Sequence, residues 1–318
     1  MTDVSLTPPD GPTIEETEGL SVEPITQWKL FRARFGRHRL AMVSLLVLGI
    51  IVVLALAAPI LPINDPFELQ RDASGRVLEN IAPRGEFPLG TDDIGRDVLA
   101  RVVHGGRASL AVAGITGFLV ASLGTIVGAL AGYYPGAIDQ ALMRLVDIIL
   151  GLPLLPVAIV AGRIFQEIDW LPEGPLPIGL LLGILLWGSL SRIVRAEFLS
   201  LREKEYVEAA RAAGANDRRI IFRHILPNAI SPIIVQTTLV VGAAIIIEAA
   251  LSFLGFGIKE PTPTWGAMTA DGGRLAVRGF WWMLVFAGSA LVATVLSINY
   301  VGDGLRDALD PTQTIERK

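Results

Sequence analysis

The sequence predicts an all-α polytopic membrane protein with six transmembrane helices, and three observations support this prediction. First, 52% of the 318 residues are hydrophobic and 18% are charged, with a mean hydropathy of +0.54, which is too apolar for a soluble domain of this size. Second, residues 40–61 contain no charge, and a helix of that length reaches about 33 Å, enough to cross a hydrocarbon core of roughly 30 Å. Third, five further apolar stretches follow, at 108–132, 141–162, 176–193, 229–254 and 280–302.

Residues 1–27 differ from everything that follows. They are acidic, rich in proline and threonine, and without apolar periodicity, so we expect a disordered tail. The basic cluster "WKLFRARFGRHR" comes next and precedes the first apolar run. That run starts late and exceeds the usual length of a signal-peptide core, which favours an uncleaved spanning helix.

The distribution of bases predicts the orientation of the helices. Short cytoplasmic loops are rich in lysine and arginine, so the basic cluster places the N-terminus inside, and six spans bring the C-terminus back to that side. The connection between the fourth and fifth spans carries eight bases, as an inside loop should. The segment "RIFQEIDWLPEGP" has one base against three acids, as an outside loop should. Loop 62–107 has six arginines against eight acids, so its outside placement follows from counting helices.

These features divide the chain into four parts. Residues 1–27 form the cytoplasmic tail, and residues 28–107 hold the first transmembrane helix and an external loop. Residues 108–302 form a core domain of five transmembrane helices, interrupted by a cytoplasmic loop at 194–227. Residues 303–318 form a cytoplasmic C-terminal tail.

The loop at 194–227 contains an unusually soluble segment, "EYVEAARAAGANDRRIIFRHILPN". Helix-forming residues run to Ala213, and Gly214 is suited to a left-handed turn. Asn216 and Asp217 are candidate N-caps of a second helix, which ends before Pro227. The segment therefore predicts a helix–turn–helix hairpin, narrow enough to enter a groove on another protein; a solvated loop with ordinary surface charges is the alternative.

The spacing within this hairpin resembles the EAA loop of permease subunits from ATP-binding-cassette (ABC) importers. The matching residues are Glu208, Ala209, Ala210, Gly214, Leu226 and Pro227, while His224 stands where the general form has isoleucine. In that family the loop carries a coupling helix that docks on the ATPase subunit. The resemblance therefore implies an ATPase-coupling role for the matching residues and for Tyr206, and makes 194–227 a coupling loop.

Several other stretches, in the same order, resemble the dipeptide/oligopeptide (nickel) branch of these importers, in particular its second, shorter permease. They are "LGTDDIGRDVLARVVHGGRASL", "MRLVDIILGLP", "EAALSFLGFG", "PTWGAM" and "GDGLRDALDP", within residues 28–311. The resemblance implies a type I ABC importer permease fold in a prokaryotic plasma membrane and import of peptides. It also implies three kinds of partner: two ATPase subunits, a second homologous permease that completes a heterodimer, and an extracytoplasmic binding protein. Nickel, glutathione or another small solute is the alternative cargo.

Other function classes have little support in the sequence. No phosphate-binding G-x-x-x-x-G-K-[ST] loop is present, so the energy must come from a partner. The chain has no cysteine and three scattered histidines, which argues against a metal site, and we expect no cofactor. Motifs of zinc proteases and serine hydrolases are missing, and the bases fit membrane orientation rather than nucleic-acid binding.

An ion-driven carrier is the remaining alternative, because acids inside spans are costly and are usually functional. Glu248 lies within the fifth predicted span and is a candidate for a direct role in the pathway or in gating. Arg144 and Asp147, three residues apart near the start of the third span, could instead pair with each other. A carrier would leave the hairpin unexplained.

Two segments outside the spans are candidates for contact with the binding protein. In "GTDDIGRDVLARVVHGGR", apolar residues at spacings of four predict an amphipathic helix capped by Thr91 or Asp92. The turn-rich segment "EPTPTWGAMTADGGR" contains Trp265, a residue type enriched at membrane interfaces. Packing at the membrane surface would explain both patterns equally well.

Overall fold

The computed structural model describes residues 27–166 and 172–309, so the tail predicted at residues 1–27 lies outside the described part except for its last residue. Helix α1 (Gln27–Arg37) leads directly into α2 (Arg39–Ala57), which a 3₁₀ turn extends to Ile60. His38 separates the two helices, and its Nδ1 accepts a hydrogen bond from the amide of Ala41 at 3.1 Å. The first predicted span is thus confirmed to within one residue.

Helix α3 (Val98–Tyr133) is longer than the predicted second span, 108–132. The amphipathic helix expected before that span is therefore the first part of α3 and not a separate helix. The predicted cap at Thr91 or Asp92 is wrong, because residues up to 97 are held in turns and short antiparallel bridges. Asp97 is the N-cap, and its carboxylate accepts a hydrogen bond from the amide of Leu99 at 2.8 Å.

The third predicted span, 141–162, is not one straight helix. Helices α4 (Ala137–Gly151) and α5 (Leu154–Gln166) meet at an angle of 93°. Pro153 explains the break, since a proline disfavours helical conformation at the residue before it, and Leu152 has an extended ψ of 137°. Within the described residues, five helices are long and apolar enough to cross a membrane, and the bent pair brings the number to six.

The second half of the chain contains α6 (Pro175–Leu201), the hairpin helices α7 (Glu205–Ala212) and α8 (Asp217–Arg219, continued by a π-helical turn Ile220–Ile225), and α9 (Ile230–Phe253). Helix α6 extends eight residues into the predicted coupling loop 194–227. It does so because Val194 and Phe198 are fully buried in the core, so this segment packs like the rest of the span.

Helices α10 (Trp265–Ala276) and α11 (Trp282–Leu309) end the described part. The C-terminal tail predicted from residue 303 instead starts as helix, which continues to Leu309. Gly304 explains the continuation: a Cβ there would lie 3.1 Å from the ring of Phe35 in α1, so this turn of α11 is packed against the N-terminal helices. Residues 310–318 lie outside the described part.

The core is centred on the close contact of α3 with α6. Glycines of α3 face α6 so closely that a Cβ at Gly128 would lie 2.5 Å from the carbonyl oxygen of Ser191, and one at Gly132 would lie 2.7 Å from that of Arg195. Small residues allow this approach, and backbone proximity supplies the packing that holds helices together in lipid. The glycines of α3 that face α6 therefore serve close packing.

Candidate functional site

The turn of the hairpin has the left-handed conformation predicted from its glycine. Gly214 has a φ of +81°, and its amide donates to the carbonyl of Arg211 at 3.0 Å. The amide of Ala215 donates to the carbonyl of Ala210, also at 3.0 Å. These two bonds form a Schellman motif, which satisfies the last carbonyls of α7 and reverses the chain.

The second helix of the hairpin starts as predicted. The side chain of Asn216 accepts a hydrogen bond from the amide of Arg219 at 2.9 Å. Asp217 is not the cap, and its carboxylate instead accepts hydrogen bonds from two hydroxyls at the end of α3. The distances are 2.8 Å to the hydroxyl of Tyr133 and 3.1 Å to that of Tyr134. The start of α8 is thereby tied to the end of a membrane span.

An apolar base fixes the hairpin to the spans. Val207 of α7 and Ile220 and Ile225 of α8 are fully buried, in one cluster with Phe198 of α6 and Tyr133 of α3. Burying a side chain of this size contributes about 1.5–3 kcal/mol. Both helices of the hairpin therefore share one buried core with the ends of α3 and α6.

The opposite face of the hairpin is open. Tyr206 is 41% exposed and Phe222 is 62% exposed. Phe222 lines a shallow cleft of about 380 Å³, together with Asn216 and three arginines, Arg218, Arg219 and Arg223. Of the residues predicted to act in coupling, Ala210 and Leu226 are half-buried, and the exposed ones are Tyr206, Glu208, Ala209, Gly214 and Pro227.

Ion pairs connect the spans near the hairpin. Arg195 of α6 forms a two-pronged pair with Asp139 of α4, with N–O distances of 2.5 and 2.6 Å. Asp147 of α4 pairs with Arg192 of α6 at 2.5 Å, so its partner is not Arg144, the pairing considered from sequence. Helix α4, which the bend separates from α5, is thus held against α6 by two arginines.

Glu248 lies near the other end of the molecule, five residues before the end of α9, and is only 1% exposed. Its Oε1 accepts a hydrogen bond from the hydroxyl of Ser252 at 2.8 Å, and its Oε2 has no hydrogen-bond partner among the described residues. Gly266 of α10 packs beside it, since a Cβ there would lie 2.6 Å from the Cα of Ala249. The carboxyl group therefore lies at a contact between α9 and α10.

A charged network holds the loop before α3 at the end opposite the hairpin. Arg96 pairs with Asp92 at 2.7 Å and with Glu260 at 3.2 and 3.3 Å. Arg101 is 2% exposed and lies 3.7 Å from Asp92 and 3.4 Å from Glu260. The network joins the loop to the connection between α9 and α10, and the indole of Trp282 adds a hydrogen bond to the carbonyl of Thr91 at 2.9 Å.

The charge of Glu260 makes this network dependent on pH. Burial alone would raise the pKa of its carboxyl, but the hydrogen bond from Arg96 and the charges of Arg96 and Arg101 outweigh burial and lower that pKa. A lowered pKa in the folded state adds stability above the ordinary glutamate value of about 4.3, and that stability is lost as pH falls through the folded pKa.

We predict that Glu260→Gln lowers the thermal unfolding midpoint at pH 7 by about 2 °C, since an exposed ion pair contributes at most about 1 kcal/mol. The difference from the parent protein should shrink as the pH falls below about 4.3 and should vanish only below the lowered pKa of the folded Glu260, where its carboxyl becomes neutral. Thermal unfolding of both proteins at pH 7 and over a series of falling pH values measures this. Glu86→Gln is the control, because Glu86 pairs only locally with Arg84. A difference that persists at acid pH would contradict the prediction.

Several of these residues were not found from sequence. The tyrosine pair and Asp217 are 83 and 84 residues apart, and Arg96 and Glu260 are 164 apart, so no local pattern connects them. Tyrosines at the end of an apolar stretch did give a signal, since such residues favour membrane interfaces. That signal indicates depth in the membrane, but it does not identify a partner.

Comparison with known protein families gives two matches. Residues 124–315 match the family described as binding-protein-dependent transport system inner membrane component. Residues 26–83 match the N-terminal TM domain of oligopeptide transport permease C. Together these matches cover most of the chain, including the hairpin, α9 and the end of α11.

Individual relatives agree with the family matches. The chain is 39% identical over 312 residues to the dipeptide transport system permease protein DppC of Alkalihalophilus pseudofirmus, with 96% of each chain covered. It is 37% identical over 299 residues to the oligopeptide transport system permease protein OppC of Haemophilus influenzae, with 93% of this chain and 92% of that one covered. It is 40% identical over 289 residues to the di/tripeptide transport system permease protein DppC of Pseudomonas aeruginosa, with 89% and 91% covered.

A solved structure shares the fold. The inward-facing MetNI methionine ABC transporter matches with a TM-score of 0.55 at 19% identity, over 66% of this chain and 96% of that chain. At this identity the likeness concerns the arrangement of helices.

Proposed function

Because this chain belongs to the binding-protein-dependent transport system inner membrane components, in their dipeptide and oligopeptide branch, we propose that it forms half of the membrane pathway of a peptide importer. It is a permease subunit with the helical fold of an ABC importer, in the inner membrane. The observation that carries the proposal is the hairpin, which joins an exposed docking face to the buried ends of α3 and α6.

The other half of the pathway is a second, homologous permease, and the energy comes from two ATPase subunits. The exposed face of α7 and α8 binds an ATPase, with Phe222 and Tyr206 as apolar contacts and the surrounding arginines and glutamates as its polar rim. ATP-driven closure of the ATPases moves the hairpin, and the shared core passes that movement to the spans. An extracytoplasmic binding protein delivers the peptide at the opposite end.

The hairpin side is cytoplasmic in this proposal. His38, between α1 and α2, lies 3.7 Å from Asp307 near the end of α11. The start of α2 and the end of α11 are therefore on the same side of the membrane. The bases of α1 and the hairpin support assigning that side to the cytoplasm. The chain then comprises a first helix with its external loop, up to the start of α3 at Val98, and a core from α3 to the end of α11 at Leu309, with the coupling loop inside it.

Uptake measurements test the proposed cargo. Cells with and without the chain are given a labelled dipeptide and, separately, labelled nickel, with ATP depletion as control. We expect ATP-dependent dipeptide uptake to require the chain and nickel uptake to be unchanged. Loss of nickel uptake alone would assign the importer to metal transport and overturn the peptide proposal.

We also propose that Glu248 acts in gating, through the contact between α9 and α10 rather than through contact with the peptide. Its burial and its bond to Ser252 support this role, because a charged or polar group in a span is retained where it serves function. A rearrangement at this contact would alter the end of the pathway opposite the hairpin.

We predict that Glu248→Gln lowers the maximal uptake rate by about tenfold with little change in the substrate concentration needed for half-maximal uptake. Gln keeps an acceptor for the Ser252 hydroxyl but puts an amide N–H₂ group in place of the second buried carboxyl oxygen. A buried donor left without a partner costs about 1–3 kcal/mol, and about 1.4 kcal/mol is a factor of ten. Uptake at limiting and saturating peptide measures both quantities, and Ser289→Ala, a change at an exposed polar side chain of α11, is the control. Unchanged uptake at both concentrations would remove Glu248 from the mechanism.

A further inference from the structure

A groove of about 960 Å³ runs between α2, α3, α9 and α11, away from the hairpin. Its walls are mostly aliphatic and include Leu48 and Val52 of α2, Ala111 and Gly114 of α3, and Val241 of α9. Gly114 is exposed, and a Cβ added there would meet nothing within 4 Å. The groove is thus an open space along the membrane-spanning part of the chain.

Arg107 brings a positive charge to the mouth of the groove. His104, one helical turn before it on α3, lines the mouth as well. Asp65 is the acid that faces His104. Arg107 is exposed, and within residues 27–166 and 172–309 no carboxylate forms an ion pair with it.

The groove reaches a short distance past the middle of the membrane. Its lining on α3 runs from His104 to Gly114, about 15 Å of helix, and on α2 it stops at Leu48. On α9 it continues to Thr237, about 10 Å from the hairpin end of that helix, and on α11 to Val301, about 12 Å from the end of α11. The groove therefore opens at the face opposite the hairpin and ends before the other face.

The charged mouth lies at headgroup level. Arg107 is 26 residues before Tyr133, which places it about 39 Å along α3 from the tyrosines at the hairpin end. A bilayer with its headgroups is about 40–45 Å thick. An arginine at this depth faces lipid phosphates, while the aliphatic walls below it face acyl chains.

We propose that the groove binds a phospholipid of the leaflet opposite the hairpin, with one acyl chain between α2, α3 and α9 and the phosphodiester on Arg107 and His104. A peptide fits the walls poorly, because each of its backbone amides would need a hydrogen-bond partner in an apolar setting. Polar side chains in the deep part are few: Thr237 and Thr238, and the hydroxyl of Thr238 donates to the carbonyl of Ile234.

A spanning helix of the second permease is the competing occupant, and the geometry disfavours it. Such a helix needs contact over about 30 Å, whereas this groove ends about 10 Å before the hairpin end of α9. A bound lipid would fill the space between α2 and the core, and so would add to the contacts of α2 with α11 and α3 that hold the first span in place.

Photocrosslinking tests the proposal. The full-length chain is placed in nanodiscs of phosphatidylethanolamine and phosphatidylglycerol, in which the phosphatidylglycerol carries a diazirine on its acyl chain. We expect crosslinks to concentrate on the groove faces of α2, α3 and α9. Gly114→Phe, whose ring would occupy the groove, should reduce them by roughly an order of magnitude, and Arg107→Gln should reduce them several-fold.

Matched controls lie elsewhere on the molecule. Gly288 of α11 also has open space around an added Cβ, so Gly288→Phe should leave the groove crosslinks unchanged. Arg278, an exposed base outside the groove, is the control for charge, as Arg278→Gln. Crosslinks spread over other faces of the parent chain, or unaffected by Gly114→Phe, would overturn the proposal, and the parent map alone decides if that variant does not accumulate.

A cysteine experiment distinguishes lipid from the second permease. The chain has no cysteine, so Ala111→Cys introduces a single thiol in the groove. In intact membranes we expect this thiol to react with a lipid-soluble maleimide and to form no crosslink to another polypeptide with a short bifunctional maleimide. A crosslink to a second membrane subunit would assign the groove to subunit contact instead.

Discussion

Replacing Gly214 by valine is expected to leave the chain in the membrane at normal abundance and to uncouple ATP hydrolysis from peptide uptake. Gly214 has a φ of +81°, a region that costs L-residues about 1–2 kcal/mol and β-branched residues more. A Cβ there meets nothing within 4 Å, so the cost is one of backbone conformation. At about 1.4 kcal/mol per factor of ten, the native turn would lose roughly tenfold or more in population.

The consequence for transport follows from the Schellman bonds at this turn. They fix the angle between α7 and α8, and both helices share a buried core with the spans. A changed turn would alter the face presented to the ATPase without removing Val207 or Ile220 from that core. We therefore expect the ATPase rate of the purified complex to lose its dependence on peptide-loaded binding protein, while uptake falls.

Two variants make this test specific. Gly214→Asn should retain most of the coupling, because asparagine tolerates the left-handed region better than other residues do. Gly279 has a φ of +94° and equally open surroundings, but lies at the end opposite the hairpin, so Gly279→Val applies the same backbone strain away from the ATPase face. If Gly214→Val transported the same amount of peptide per ATP as the parent, the hairpin would have no coupling role.

The sequence predicts those features of the structure that depend on residues close together in the chain. The first span, the left-handed turn at Gly214 and the cap at Asn216 were all predicted correctly, because each depends on a few neighbouring residues. Helix ends were less predictable. Helices α6 and α11 extend beyond the apolar stretches because Val194 and Phe198 of α6, and Gly304 and Ala308 of α11, are buried by tertiary packing, which composition does not reveal.

The bend between α4 and α5 shows a different limit. Pro153 was visible in the sequence, yet spans tolerate proline when neighbouring helices satisfy the freed backbone groups. Whether a proline bends a span by 93° depends on what packs on either side, here the pairs of Asp139 and Asp147 with α6. Long-range contacts such as these, and the tyrosine contacts of Asp217, could not be predicted from spacing.

Those tyrosine contacts give the second large prediction: Asp217→Ala should lower the amount of peptide transported per ATP while ATP hydrolysis continues. The carboxylate is the acceptor for both tyrosine hydroxyls, so its removal releases the start of α8 from the end of α3. The hairpin should still fold, because the cap at Asn216 and the buried residues of α8 are unchanged. What is lost is the polar link through which a displaced hairpin pulls on α3.

Substitutions at the two tyrosines distinguish this link from a direct contact between Asp217 and the ATPase. Neither tyrosine is part of the exposed hairpin face, so the double variant Tyr133→Phe, Tyr134→Phe should reproduce the loss if the link is responsible. The control is Tyr300→Phe, which removes a hydroxyl of α11 away from the hairpin and should have no such effect. Each bond is partly exposed to solvent, so we expect about 1 kcal/mol per hydroxyl. In a double-mutant cycle on transport per ATP, the effects of Asp217→Ala and of the tyrosine pair should not add. Additive effects would mean that Asp217 acts on the ATPase directly and that α3 receives its movement through the apolar core alone.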